Sequence, residues 1–396
     1  MAVADKENAR RTAEMKRKRQ QRRRRTRRRA LVRAVVVIGI CAILFVLWQN
    51  WDVLAPDRLL DRAQDLIGSG TGSYPVDVSG LTVHRIARSQ NYTVMLSDSH
   101  LVYYNSAGAQ VNRYACTYSS ALMRTAGRYV LLAEQGGKRL QLNTRTATLL
   151  SMDTEQDILS VAVNAKGQYA VLTHGPQGYA VQIKVYDRSG NLLYTRSRNQ
   201  MATEVALSAD GKQVALLSIQ AVNGDLNTMV DVFALNSTDT ATMCSYTAKD
   251  TLLYRLEYLA GGWLAAIGEN GVAMLDTSDG LATVYAPEDM RLLGYAVGEE
   301  DLALVLRPYG STGDGMVQVI AKNGEPKYSV DFSGEFRHVS YSNRQYLLLT
   351  DSYVQRLSAA GGGTVVQVPA DGQQAVLDGT QAVVLGLNRL QAYDVK

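Results

Sequence analysis

The 396-residue sequence contains few of the residues that build covalent or metal-held scaffolds, with three cysteines and four histidines. Cys41, Cys116 and Cys244 are too few for a disulfide framework or for a zinc site made of four cysteines. No G-x-S-x-G or H-E-x-x-H sequence occurs, which excludes a nucleophile elbow and a zinc-protease helix. The sequence therefore predicts no catalytic residue, no metal and no cofactor.

Charge is divided unevenly along the chain. Residues 1–33 contain 15 Lys and Arg against 3 Asp and Glu, a net charge of +12, whereas the remainder contains 27 against 34, a net charge of −7. We interpret residues 1–29 as a basic cytoplasmic tail that fixes membrane topology and binds anionic lipid headgroups. Nucleic-acid binding is the alternative, but no aromatic or glycine residue interleaves the run for base stacking. The residues expected at the membrane surface are Arg22, Arg23, Arg24, Arg25, Arg27, Arg28, Arg29 and Arg33.

An apolar run follows the basic tail. Ala34–Trp48 carries no charge, and about 20 helical residues cross the hydrocarbon core of a bilayer. Bulky residues follow the run, so it lacks the small-residue site at which signal peptides are cleaved. We predict an uncleaved transmembrane helix over residues 30–51 in the plasma membrane. The basic tail places the N-terminus in the cytoplasm and residues 52–396 outside the cell.

Residues 52–73 predict a short stalk helix and a flexible linker. Leu59, Leu60 and Ala63 recur at helical spacing with charged residues opposite, and GSGTGS follows at 68–73. The helix could pack on the outer domain, lie on the membrane or pair with a second copy.

From residue 74 onward the pattern changes to short alternating strands separated by turns. Similar strand ends recur at steps of 36 to 47 residues, which is the repeat length of β-propeller blades. We predict an all-β propeller over residues 74–396 with eight blades, or seven if the first unit is degenerate. The last unit stops after three strands, so Tyr74–Val78 is expected to supply its fourth strand. The aligned positions are Tyr104, Leu142, Tyr186, Phe233, Leu275, Ile320, Leu357 and Tyr393.

The stretches SADGKQVALLS and NAKGQYAVLT resemble the repeats of WD40-like and quinoprotein-like propellers. The Gly-His and Trp-Asp signatures of WD40 blades are absent, so the specific function of that family does not carry over. The plan of basic tail, single helix and outer propeller also resembles a family of single-pass envelope proteins of Gram-positive bacteria. That resemblance implies a surface location and no established activity.

Long polar loops between second and third strands are the candidate binding site. Three segments, 174–179, 218–228 and 307–315, are longer than their counterparts, and binding residues concentrate on loops carried by rigid scaffolds. The candidate binding residues are His174, Tyr179, Asp225, Arg307 and Tyr309.

The function predicted from the sequence is a membrane-anchored extracytoplasmic scaffold that holds a protein, peptide or envelope glycan on one propeller face. One alternative is a propeller enzyme acting on an envelope glycan or small ester. A further alternative is a sensor whose Arg-rich tail binds nucleic acid or lipid on the cytoplasmic side.

Overall fold

The computed structural model describes residues 72–222, 224–235, 242–358 and 362–395, together with Gly39. Apart from Gly39, the predicted basic tail and transmembrane helix lie outside these residues, as do the predicted stalk helix, Arg22–Arg29 and Arg33. Within the described ranges, no helix is both long enough and apolar enough to cross a membrane.

The described residues form 32 strands and one short 3₁₀ helix, η1 (Ala260–Gly262). The first half of the strands comprises β1 (Val76–Asp77), β2 (Val83–Ser89), β3 (Tyr92–Ser97), β4 (His100–Tyr104), β5 (Gln110–Ala115), β6 (Ala121–Ala126), β7 (Tyr129–Glu134), β8 (Arg139–Asn143), β9 (Thr148–Asp153), β10 (Ile158–Val163), β11 (Tyr169–His174), β12 (Val181–Tyr186), β13 (Leu192–Arg198), β14 (Ala202–Leu207), β15 (Gln213–Val222) and β16 (Asp225–Ala234). The second half comprises β17 (Cys244–Lys249), β18 (Leu253–Tyr258), β19 (Trp263–Gly268), β20 (Val272–Asp276), β21 (Ala282–Tyr285), β22 (Met290–Val297), β23 (Asp301–Pro308), β24 (Gly315–Ala321), β25 (Pro326–Phe332), β26 (Phe336–Ser342), β27 (Gln345–Thr350), β28 (Tyr353–Leu357), β29 (Val365–Gln367), β30 (Gln374–Asp378), β31 (Gln381–Leu385) and β32 (Arg389–Asp394).

These strands build eight four-stranded antiparallel sheets, the blades of a propeller. Blades 1 to 7 take consecutive groups of four strands from β2 to β29. Blade 8 has the order β1-β32-β31-β30, with Val76 paired to Leu390, so the first strand completes the last blade. The prediction of eight blades closed by the N-terminal strand is confirmed, and the seven-blade alternative is wrong.

Apolar side chains fill the space between neighbouring blades. The described part of the chain contains eight apolar clusters, each joining two adjacent blades, including one between blades 8 and 1. Leu264, for example, is fully buried between blades 4 and 5. Since strand residues alternate between the two faces of a sheet, each blade contributes apolar side chains to both of its neighbours.

The junction between blades 8 and 1 has polar bridges in addition to its apolar cluster. Gln374 accepts a hydrogen bond from the Ile86 amide at 2.9 Å and donates one to the His84 carbonyl at 3.0 Å. Arg88 pairs with Asp378 at 2.8 Å. These contacts join segments about 290 residues apart and hold the ring closed.

The structure differs from the sequence prediction at residues 218–228, which were expected to form a loop. They continue β15 and β16 instead, with Ser218 paired to Met229 and Ala221 to Leu226. An Asn-Gly pair at 223–224 is a strong hairpin signal, and Gly224 has a φ of +96°. The segment is therefore a projecting β-hairpin.

Candidate functional site

The innermost strand of every blade lines one central channel. β2, β6, β10, β14, β18, β22, β26 and β30 surround a cavity of about 620 Å³. A propeller brings eight distant segments together here, so side chains far apart in sequence meet around one space.

Six of these inner strands share a β-bulge near their first residues: β2, β10, β14, β18, β22 and β26. In β14 the bulge lies between Ala202, which pairs with Ser218, and Glu204, which pairs with Leu217. The extra residue places Ala202 and Val205 on one side of the strand, where both are buried against blade 3. Glu204 consequently lies on the other side, toward the channel.

The same spacing recurs in all six bulged strands, because each has apolar residues three positions apart in one inter-blade cluster. The residue before the second apolar position lies on the opposite side of the strand. These residues are Arg85, Ser160, Glu204, Arg255, Gly294 and His338, of which Arg85, Arg255 and His338 line the cavity.

Glu204 is the centre of an ionic network inside the channel. Its carboxylate accepts a hydrogen bond from Ser160 Oγ at 2.7 Å and binds Arg255 Nη1. Arg124 Nη2 lies 3.6 Å from the same carboxylate. Arg255 also binds Glu257, with Nε 2.8 Å from Oε1. We call Arg85, Arg124, Ser160, Glu204, Arg255, Glu257, Tyr295 and His338 the channel mouth.

The channel mouth holds three guanidinium groups and two carboxylates. Burial acts to lower the pKa of Arg255, but the carboxylates of Glu257 and Glu204 outweigh it, and the pKa lies above its ordinary value. Burial and the neighbouring Arg255 lower the pKa of Arg124 to about 10. The same two causes lower the pKa of Arg85. The site thus has one positive charge more than it has negative charges.

Two further titratable side chains complete the channel mouth. Burial raises the pKa of Tyr295 to about 12, so its phenol is a neutral donor at pH 7. Burial lowers the pKa of His338 to about 4, with Arg85 acting in the same direction. His338 Nδ1 lies 3.1 Å from the Ala375 carbonyl of blade 8. His338 is therefore a neutral ring that joins two inner strands.

The channel mouth lies nearer the face that carries the turns between second and third strands, because most of its residues are close to the starts of the inner strands. In blade 2 that turn meets the start of β10, where Gln135 bridges Ile158 and donates from Nε2 to the Leu159 carbonyl at 3.1 Å. Loops 175–180 and 309–314 and the tip of the β15–β16 hairpin lie on this side. We call it the loop face.

The five binding residues predicted from the sequence occupy different surroundings on the loop face. His174, Tyr179 and Asp225 are exposed. Tyr309 is 61% exposed, and its hydroxyl donates to Asn270 Oδ1 at 3.2 Å. Arg307 is only 5% exposed and donates to the backbone carbonyls of Gly334 at 2.8 Å and Gly313 at 3.2 Å. Arg307 therefore positions its own loop against the next blade.

A cleft of about 900 Å³ lies beside that loop, between blades 6 and 7. Met290, Met316 and Phe332 provide apolar walls, and Asp314 and Asp331 lie at its edges. Ser311 and Asp314 of loop 309–314 line the cleft, whereas none of the five predicted binding residues does.

The channel mouth was missed by sequence reasoning. The sequence pattern that indicates it is a recurring pair of apolar residues three positions apart, with a polar residue before the second, as in Leu253-Tyr-Arg-Leu256.

In the described ranges no group of three or more His, Cys, Asp or Glu residues could hold a metal ion. The thiols of Cys116 and Cys244 are free.

A family model matches residues 76–366, which span most of the propeller, and the family is described as one of unknown function. The chain belongs to the DUF5711 family. No curated protein matches this DUF5711 chain.

The DUF5711 chain is similar to solved WD40-type propellers. The Neurospora crassa Pan2 WD40 domain shares 10% identity with a TM-score of 0.47, over 80% of this chain and 90% of that one. A chain from a crystal structure of a mitotic checkpoint complex shares 13% identity with a TM-score of 0.45, over 83% of this chain and 97% of that one. These identities are too low to transfer an activity or a partner.

Proposed function

We propose that this DUF5711 chain is a membrane-anchored extracytoplasmic binding protein that holds a protein partner on the loop face of its propeller. The anchor is the uncharged run within residues 30–51, and the basic tail before it orients the chain with the propeller outside. The Arg-rich tail contacts anionic lipid on the cytoplasmic side.

The exposed aromatic side chains of the loop face carry the proposal. Among the described residues, seven of the thirteen large apolar side chains that are more than a third exposed lie on this face, including all three aromatic ones. The seven are Leu81, Tyr179, Met201, Leu226, Tyr254, Tyr309 and Leu387. Aromatic residues are enriched in the energetic centres of protein interfaces, and an adjacent cleft can accept a partner side chain.

Crosslinking in intact cells tests whether the loop face binds a protein partner. A triple variant, Tyr179→Ser with Leu226→Ser and Tyr309→Ser, removes three exposed apolar groups of the loop face. The matched control, Leu192→Ser with Met243→Ser and Leu281→Ser, changes exposed side chains away from that face. We expect crosslinks to a specific envelope protein to fall about tenfold or more in the first variant and to persist in the second.

Two outcomes would contradict the proposed partner. If both variants keep the same crosslinked protein, the binding surface lies elsewhere. If wall glycan, and no protein, is lost with the loop-face variant, the partner is a glycan.

A reporter fused at the C-terminus tests the orientation. We expect a reporter that is active only outside the cytoplasm to be active on the native chain. Replacement of the seven arginines at 22–25 and 27–29 by glutamine should mix the orientations. If a reporter that works only in the cytoplasm is active on the native chain, the extracytoplasmic location is refuted, and the loop-face result is unaffected. Nucleic acid that copurifies and is released by salt would assign a second role to the tail.

A further inference from the structure

Three polar groups of the channel mouth have unused hydrogen-bonding capacity. Arg124 Nε is fully buried and has no hydrogen-bond partner among the described residues. Its Nη2 is 3.6 Å from Glu204, beyond normal hydrogen-bond distance. Arg85, whose surface is exposed, and the Tyr295 hydroxyl form no hydrogen bond or ion pair within the described chain, so both can donate to a group in the channel. A buried, unpaired guanidinium N–H is costly, so the arrangement favours an acceptor in the channel.

Glu204 does not supply that acceptor, because its carboxylate faces Nη2 of Arg124 and not the unpaired Nε. Glu257 forms its ion pair with Arg255. Arg85 and Arg124 lie on neighbouring inner strands, and burial and the charge of Arg255 lower the pKa of both, while Arg85 also lowers the pKa of Arg124. An anion between Arg85 and Arg124 would neutralise the excess positive charge and relieve this repulsion.

Small apolar side chains form part of the cavity wall beyond the charged residues. Two residues further along four of the bulged strands lie Ala87, Ala162, Ala206 and Ala296, whereas the other two strands carry Glu257 and Ser340 at that position. The cavity of about 620 Å³ therefore combines a cationic mouth with a wall of mixed polarity that includes four alanines.

We propose that the channel mouth is a binding site for a small aliphatic carboxylate, held at its carboxylate by Arg85 and Arg124 and at its hydrocarbon chain by the alanines. A guanidinium matches a carboxylate in bidentate geometry. The Tyr295 hydroxyl is a third donor. One excess positive charge balances a monoanion, whereas a phosphate group, with a charge of about −1.5 to −2 at pH 7, would leave the site negative. The site is independent of the protein partner on the loop face.

Ligand-observed NMR on the purified full-length chain in detergent tests the site at fixed ionic strength. The probes are butyrate, acetate, inorganic phosphate and butyramide, the last being the uncharged counterpart of butyrate. We expect saturable binding of butyrate, weaker binding of acetate, and no competition by butyramide or phosphate. Arg85→Gln and Arg124→Gln should each weaken butyrate binding about tenfold or more. Arg344→Gln is the matched control, because this side chain is 83% exposed and outside the channel.

Arg85→Gln is the decisive variant, because the Arg85 side chain forms no hydrogen bond or ion pair within the described residues whose loss would destabilise the fold. If butyrate binds equally well to native protein and Arg85→Gln, or if Arg344→Gln weakens it as much, the site is not the channel mouth. Stronger competition by phosphate than by acetate would overturn the carboxylate assignment. Loss of loop-face crosslinking leaves these results unchanged, so the two proposals fail separately.

Discussion

The blade interfaces and the channel mouth are two sides of the same inner strands, and they differ in composition. On the interface side, Ala202 and Val205 of β14 join an entirely apolar cluster. On the channel side, Glu204 of the same strand meets Ser160 and Arg255. The interfaces between blades are packed mainly with apolar groups, whereas the channel side of the same strands carries charge. The variants below separate a binding role of this network from a role in stability.

The largest effect is expected from a truncation on the interface side. Leu264→Ala removes a fully buried side chain between blades 4 and 5 and should lower the free energy of unfolding by about 3 kcal/mol. Urea unfolding of the full chain measures this, and the exposed Leu281→Ala should stay within about 0.5 kcal/mol of the native protein. A cost below about 1 kcal/mol would mean that the interface repacks freely.

Removal of one member of the channel network should cost less. Glu204→Gln leaves Arg255 and Arg124 without their shared carboxylate, and we expect a loss of about 2 kcal/mol in unfolding free energy. The loss is smaller than for a fully enclosed ion pair because the channel admits water. Ser160→Ala, which removes only the hydroxyl bound to Glu204, should cost about 1 kcal/mol. If Ser160→Ala is the more damaging of the two, the carboxylate is not the centre of the network.

A pH-dependent effect is expected at His338. Its folded-state pKa of about 4 lies below the ordinary value of 6.5, so the unfolded chain binds the proton first. Stability from the neutral ring is fully present above about pH 6.5 and is lost as the pH falls toward 4. We expect His338→Gln to reduce the loss of unfolding free energy between pH 7 and pH 4 by about 1–2 kcal/mol. If the unfolding free energies of the native protein and of His338→Gln fall equally between pH 7 and pH 4, this prediction is refuted.

The fold was predictable because it depends on repetition. Eight similar strand ends and a three-stranded last unit predict the ring and its closure by residues near Val76. The polar composition of residues 218–228 predicts a loop, whereas the Asn-Gly pair within them is typical of the hairpin that the structure shows. The channel mouth was missed because alternation alone places Glu204 wrongly, and only the bulge after Ala202 sets its direction. The position of a bulge depends on which residues are buried against both neighbouring blades. The sequence of a single strand does not show this.

The smallest effect on stability should come from the most drastic change at the mouth. Arg124→Met, Glu204→Leu, Arg255→Met and Glu257→Met together replace the charged groups of the network by apolar groups of similar size. A buried ionic network can be exchanged for apolar side chains at little or no cost, so unfolding free energy should stay within about 1 kcal/mol of the native value. Butyrate binding should be lost in the same variant, although Arg85 remains. Native stability together with lost butyrate binding would show that the charges serve a ligand. A loss of several kcal/mol in unfolding free energy would show that the ring itself depends on the charges, so that both sides of the inner strands stabilise the fold.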